Sequence, residues 1–434
     1  MGEYTKLMNE DIGYCANRSG VSDESSKDTD EAIDLMTDSS YWRSFSDGLN
    51  EFMGRCGYAG GEEISAKADY ILEQFSKINV AITPSTVKDW VSGKRAPDPA
   101  NEGSREKMYQ LCFALHAGAD DTVWFFEHVY FSKCFDYHRP NDLIYKFCMT
   151  HGFDYSTALS MIKSLKPGTA ETSRNVMTHR IRQETDCLTT PEQLVDYINS
   201  NAGIFEKWNI TAKDEIRKLR SMLQDEKCRE ADEMVRKCMK SGSGVEKYLS
   251  HSSPLIHWKY YTPYSPEDIF TGLQLDSVDF LLKTVMGTVQ GITKKSAEMK
   301  NIPDAVRKSF PNKKSLSDIL DDSRNASYIS VRKALVFLKF VHFWCQEEII
   351  QYERKNNKKA ISPDISSYDE MTKKELYTAF VDEMNALLLK CGYSELFAGN
   401  PFDWLFMYSA TWEFPLTFLG NFISDISDTG EENE

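Results

Sequence analysis

Between positions 85 and 95 lie Ser85, Thr86, Lys88, Asp89, Lys94 and Arg95, a set of hydroxyl, ammonium, guanidinium and carboxylate groups in one short stretch. Short polar side chains of this kind exchange hydrogen bonds with the edges of base pairs, and paired cations meet phosphates. The chemistry they suggest is recognition, with no covalent step. The element that must carry them is legible in the same residues. Thr83 suits a helix N-cap, and Pro84 suits the first helical position, where a missing N–H removes a donor that has no partner anyway. Val87, Trp90 and Val91 then recur at spacings of three and four and share one buried face, so Ser85, Thr86, Lys88, Asp89 and Ser92 point outward. Gly93 ends the helix, and Lys94, Arg95, Ala96 and Pro97 form a basic turn beyond it.

The stretch STVKDWVSGKRAP resembles the recognition helix and following turn of lambda-repressor-like (Cro/XRE-type) helix-turn-helix domains, in which a pattern close to S-T-V-x-x-W-x-x-G-K-x-x-P recurs. Further helices are expected around it at Tyr41 to Cys56, Ile64 to Lys77, Glu102 to His116 and Asp121 to Phe131. The resemblance thus implies a five-helix domain over about residues 41–131. It also implies that Ser85, Thr86, Lys88 and Asp89 face the major groove of double-stranded DNA while Lys94 and Arg95 hold its phosphates. The turn at Asn79 to Ile82 replaces a tight glycine turn, and Asp89 puts a carboxylate on the DNA side; both depart from the family pattern.

Charge limits how such a protein binds. The chain of 434 residues has 51 basic and 66 acidic residues, a formal net charge of −15. Coating nucleic acid without sequence preference rests on phosphate neutralisation and needs the opposite sign. Any DNA contact is therefore local. Around the basic turn, Lys88, Lys94, Arg95, Arg105 and Lys107 stand against Asp89, Asp98, Glu102 and Glu106, nearly neutral in sum, so a homodimer or another partner is expected to add contacts. Ten scattered cysteines without a C-x-x-C pair suit reduced thiols in a cytoplasm. The N-terminus has no apolar signal segment, and the most apolar run, Ala334 to Cys345, is too short and too interrupted to span a membrane.

The fold class expected is all-α. Residues 1–40, acidic and serine-rich, are expected to lack fixed structure and to serve as a solvated tail or as an acidic arm that shields the basic turn. Residues 41–165 form the DNA-binding domain with an aromatic-rich extension, residues 166–423 a helical region for assembly or sensing, and residues 424–434 an acidic tail. Pro167 and Gly168 mark the boundary. In the second region Thr190 and Gln193 start a helix, Thr211 to Lys240 forms a long charged one, Ser241 to Gly244 a hinge, and Ser265 to Asn301 a further capped segment. Ser327 to Asn356 is apolar almost all round and must be central to its unit. Thr372 and Glu375 start a helix that Gly392 ends, with the polar loop Lys355 to Ser367 before it. The aromatic residues from Tyr393 to Phe422 read as core, with a partner surface as the rival.

Two other constellations carry chemistry. Cys134, His138, Cys148 and His151 form a C-x3-H and C-x2-H arrangement that a zinc ion could use, although buried core cysteine is the commoner reason for such residues. Arg174, Asn175 and His179 spell a pattern similar to the R-N-x-x-x-H signature of HEPN ribonucleases, which implies RNA cleavage by a dimer that brings two copies together. No nucleotide-binding, serine-hydrolase or zinc-protease motif occurs, and no cofactor is expected. The residues together point to a non-enzymatic, sequence-specific DNA-binding protein, a bacterial transcriptional regulator or a mobile-element protein. The alternatives are a helical scaffold that keeps the fold without DNA affinity, and the HEPN-like ribonuclease.

Overall fold

A computed structural model describes residues 25–38, 40–99, 101–166, 178–205, 211–219, 221–222, 328–355, 372–412, 415–416, 418–419 and 422. Among the described residues the fold is all-α, with no strand. Two compact units result. One comprises Arg43–Lys213 with Leu389–Ser394, and the other Met1–Trp42, Asp214–Leu388 and Glu395–Glu434.

The Arg43–Lys213 unit begins with α2, Phe45–Arg55, which follows α1, Ser25–Thr37, of the other unit. Ser44 and Asp47 close a capping box, with Asp47 N donating to Ser44 Oγ at 3.1 Å and Ser44 N to Asp47 Oδ2 at 3.3 Å. That cap explains why the helix starts at Phe45 and not at Tyr41. Next come α3, Ile64–Lys77, and α4, Pro84–Val91, then α5, Glu102–Ala114, and α6, Ala119–His128. Their buried faces meet in one apolar core containing Leu49, Phe52, Ile71, Phe75, Val87, Trp90, Leu111 and Phe125. Phe52 and Phe125 stack with ring centroids 4.3 Å apart.

Between α3 and α4 the chain reverses at Asn79, whose φ of 55° is left-handed. Asparagine tolerates this conformation nearly as glycine does, so the turn needs no glycine. Val80 N then returns to Phe75 O at 3.1 Å.

The same core continues through α7, Pro140–His151, α8, Tyr155–Lys163, and α10, Pro191–Ser200, which supply Ile144, Cys148, Met161, Leu194 and Ile198. α9, Thr178–Asp186, and the short α11, Ala202–Phe205, complete the unit. α8 and α10 are also tied by Lys166 N donating to Asn199 Oδ1 at 2.8 Å and by Asn199 Nδ2 donating to Ser164 O at 3.3 Å. The boundary expected at residue 166 falls inside this compact unit. The helices on either side share apolar surface, and the unit runs on to Lys213. The capping box of Thr190 and Gln193 starts α10 as expected.

At the centre of this unit lies a buried ion pair. Arg105 on α5 donates to Asp142 Oδ2 on α7 at 2.6 Å, to Tyr109 OH at 2.9 Å and to Ser132 Oγ at 3.2 Å. Burial pulls the Arg105 pKa down, but Asp142 and Tyr109 outweigh it and hold the guanidinium firmly protonated. Asp142 also accepts from Asp136 N at 2.9 Å, which fixes the irregular segment before α7.

In the other unit, α1, Ser25–Thr37, lies in the region expected to have no fixed structure. Thr29, Ala32 and Met36 are buried at helical spacing, a short stripe that the acidic composition concealed. Trp42 Nε1 donates to Leu35 O at 2.8 Å. α12, Tyr328–Lys355, is buried on nearly every face from Val331 to Trp344, as its all-round apolar pattern requires. Arg332 on it binds both oxygens of Asp403 at 2.6 and 2.8 Å, an ion pair with α14, Pro401–Ser409. α13, Lys373–Lys390, starts at the expected Thr372–Glu375 box, and Gly392 follows with φ 72°. Phe402, Trp404, Phe406, Tyr408, Phe418 and Phe422 are buried, so these six C-terminal aromatic residues form core.

The expected helix from Thr211 is helical at 211–219 and 221–222, and its remainder lies outside the described residues. So do the Ser241 to Gly244 hinge, Ser265 to Asn301, the 356–367 loop and the acidic tail. Asp142→Ala leaves a buried, charged guanidinium without its counter-ion and should cost about 3–5 kcal/mol in denaturant unfolding. A loss below about 1 kcal/mol, the range of an exposed pair, would show that the pair is not the centre of this unit.

Candidate nucleic-acid interface

α4 owes its orientation to three side chains. Val87, Trp90 and Val91 are 0%, 4% and 4% exposed, and Trp90 meets Phe45 of α2 edge-on at 6.4 Å. Burying each of them contributes about 1.5–3 kcal/mol, enough to fix which face of so short a helix points inward. On the opposite side Ser85, Lys88 and Ser92 are exposed, and Thr86 and Asp89 are half-buried. Lys94 and Arg95 in the following turn are also exposed. All six residues singled out in the sequence thus belong to one helix and its outgoing turn. Ser92 stands beside them at the helix C-cap and joins the set, as its outward spacing already signalled.

Thr83 occupies the N-cap position, but its side chain caps no backbone N–H. Its hydroxyl bonds that of Thr86 at 2.6 Å instead. Thr86 is therefore partly engaged within the helix, which leaves Ser85, Asp89 and Ser92, at spacings of four and three, as the middle of the outer stripe. The Asp89 main-chain oxygen accepts from Arg95 N at 3.2 Å and from Ser92 Oγ at 3.4 Å. Its carboxylate bonds to no described residue.

The basic turn is anchored at both ends. Gly93 adopts φ 73°, and Ser46 Oγ of α2 lies 3.0 Å from the point a Cβ there would occupy. At the far end Pro97 is buried, and Tyr130 OH donates to Asp98 O at 3.1 Å. Lys88, Lys94 and Arg95 form no ion pair with a described residue, so all three charges face solvent uncompensated.

Other groups counted near the turn are placed differently. Arg105 is sequestered in its ion pair with Asp142, and Glu102 is bound by Arg139 at 2.9 and 3.0 Å. Removing one cation and one neutralised carboxylate leaves the local balance as it was but moves it: the free positive charge concentrates at Lys88, Lys94 and Arg95. Sequence spacing alone could not separate the structural arginine from the exposed one, because the partner that sequesters Arg105 lies 37 residues further along the chain.

The zinc arrangement does not form. No group of three or more metal-ligating side chains gathers among the described residues. Cys134 is buried and burial pushes its thiol well up; Cys148 is pushed up to about 12 for the same reason and its sulfur rests 3.8 Å from Met161 Sδ. His151 packs on Phe147 at 4.4 Å. Cys134 and Cys148 thus belong to the apolar core with most of the aromatic residues around them, whereas His151 is exposed. Arg174 and Asn175 of the RNVMTH pattern lie outside the described residues, as does the side chain of His179. Among the described residues no helix is long and apolar enough to cross a membrane.

No family model, no curated protein and no solved structure matches this chain.

Gly93→Ala and Gly57→Ala separate the two roles of a left-handed glycine, since Gly57 has φ 86° with nothing within 4 Å of the point where a Cβ would stand. Each should lose about 1 kcal/mol of stability from backbone strain. Gly93→Ala should lose more, because Ser46 must also move; equal losses in thermal unfolding would mean that the α2 contact does not hold the turn.

Proposed function

We propose that the Arg43–Lys213 unit binds double-stranded DNA in a sequence-specific way, with the outer stripe of α4 in the major groove and Lys94 and Arg95 on the phosphates. The observation that carries this reading is the pairing of an apolar face that anchors α4 with an outer face whose three cations have no described protein partner. Uncompensated exposed cations beside short polar side chains are what a local duplex contact requires. The resemblance of STVKDWVSGKRAP to lambda-repressor-like helix-turn-helix domains supports the same reading. So does the helix order α2 to α6 around it.

Lys88, Lys94 and Arg95 neutralise few phosphates, and the chain as a whole repels DNA at −15. A homodimer that presents two such ridges to adjacent half-sites supplies the missing contacts. In this reading the protein is a cytoplasmic transcriptional regulator or mobile-element protein without catalytic activity. The Arg332–Asp403 unit serves assembly or sensing. A scaffold that keeps the fold without binding DNA is the competing reading, and the half-buried Asp89 carboxylate is the observation on its side.

Fluorescence anisotropy on labelled random and selected duplexes, across about 50–200 mM salt, separates the two. Lys94→Ala and Arg95→Ala should each weaken binding to all duplexes alike and reduce the salt slope by about 1, whereas Ser85→Ala should change sequence preference. Wild-type protein that binds no duplex, or binds every one equally with no salt dependence, would favour the scaffold.

A further inference from the structure

Asp89 is costly on a surface that approaches phosphates. Its carboxylate repels the duplex backbone, and no described residue neutralises it. It also sits in the middle of the outer stripe, four residues after Ser85 and three before Ser92, where a helix lying in a groove comes closest to the bases. Its main chain is held from two sides by Arg95 N and Ser92 Oγ, so the residue is fixed at the last turn of α4 and not free to swing away with a fraying end.

The chemistry of the major groove narrows what such a group accepts. An ionised carboxylate has acceptors only. Guanine offers N7 and O6, both acceptors, and thymine offers O4 and a methyl group. Adenine offers its N6 amino group beside the N7 acceptor, which suits a donor–acceptor amide and repels half of a carboxylate. Cytosine offers the N4 amino group alone.

We infer that Asp89 is a specificity-determining residue that requires a cytosine at one position of the DNA site and rejects the other three bases by leaving its carboxylate unpaired against them. The inference rests on the DNA-binding reading given above. It gives the acidic residue a positive role: it weakens attachment to bulk DNA and restores affinity only where the N4 amino group is present. Discrimination by repulsion is a general way to gain specificity at the expense of affinity.

The test is selection of bound duplexes from a random pool with the full wild-type chain, Asp89→Asn and Asp89→Ala, followed by titration of the selected site and of versions in which one base pair is changed. The Asp89 carboxylate makes no hydrogen bond or ion pair with a described residue, so both variants should fold, with unchanged melting as the control. The wild type should select a site with one invariant cytosine, and changing it should weaken binding about 5- to 150-fold. Both variants should keep the remaining consensus, lose the preference at that position and bind random duplexes more tightly than the wild type. A wild-type consensus that Asp89→Asn and Asp89→Ala leave unchanged, or whose altered position is not cytosine, overturns the inference while DNA binding stands. A wild type that selects no duplex overturns the DNA-binding reading and this inference with it.

Discussion

The burial of Val87, Trp90 and Val91 against α2 and the core beneath it is the constraint on which the proposed interface depends. α4 spans only Pro84–Val91, too short to be stable as an isolated helix, so its orientation is a tertiary effect. Once those three side chains are inside, geometry leaves no choice about the rest. Ser85, Asp89 and Ser92 must face away, with Lys88 on one flank. Gly93 and the buried Pro97 then bracket the turn on which Lys94 and Arg95 are exposed.

The unit that supports α4 is larger than a five-helix module. The Arg105–Asp142 pair draws α5 and α7 together, and the shared apolar surface of Met161, Leu194 and Ile198 adds α8 and α10. Removing Arg105 from the exposed charge also sharpens the electrostatic picture. In a chain of net charge −15, three exposed cations on one short helix and its outgoing turn stand against the overall sign, and a local positive charge is what steers an anionic partner.

Much of this is legible in the sequence wherever a cap, a stripe and a stop coincide. The start of Pro84–Val91 follows from such signals, as do the Thr190–Gln193 and Thr372–Glu375 boxes. The all-round apolar helix at Tyr328–Lys355 is readable because no surface helix tolerates that composition. What stays hidden depends on partners distant in sequence. Arg105 reads as a surface cation until Asp142, 37 residues away, is seen to pair with it. The helix Ser25–Thr37 is masked by its acidic residues, since Thr29, Ala32 and Met36 are too small a stripe to stand out. Pro167 and Gly168 look like a domain boundary, yet the helices before and after them bury the same core. At the site, the spacing identifies the right helix face, but not that Thr83 engages Thr86 through its hydroxyl.

The most direct measurement is lysine acetylation of the full chain, read residue by residue by mass spectrometry, with and without excess duplex DNA at low salt. If the outer face of α4 meets the duplex, Lys88 and Lys94 become protected while the exposed Lys163 at the end of α8 is modified as before. Unchanged modification of Lys88 and Lys94 at a duplex concentration that saturates binding, or protection confined to other lysines, would contradict the account.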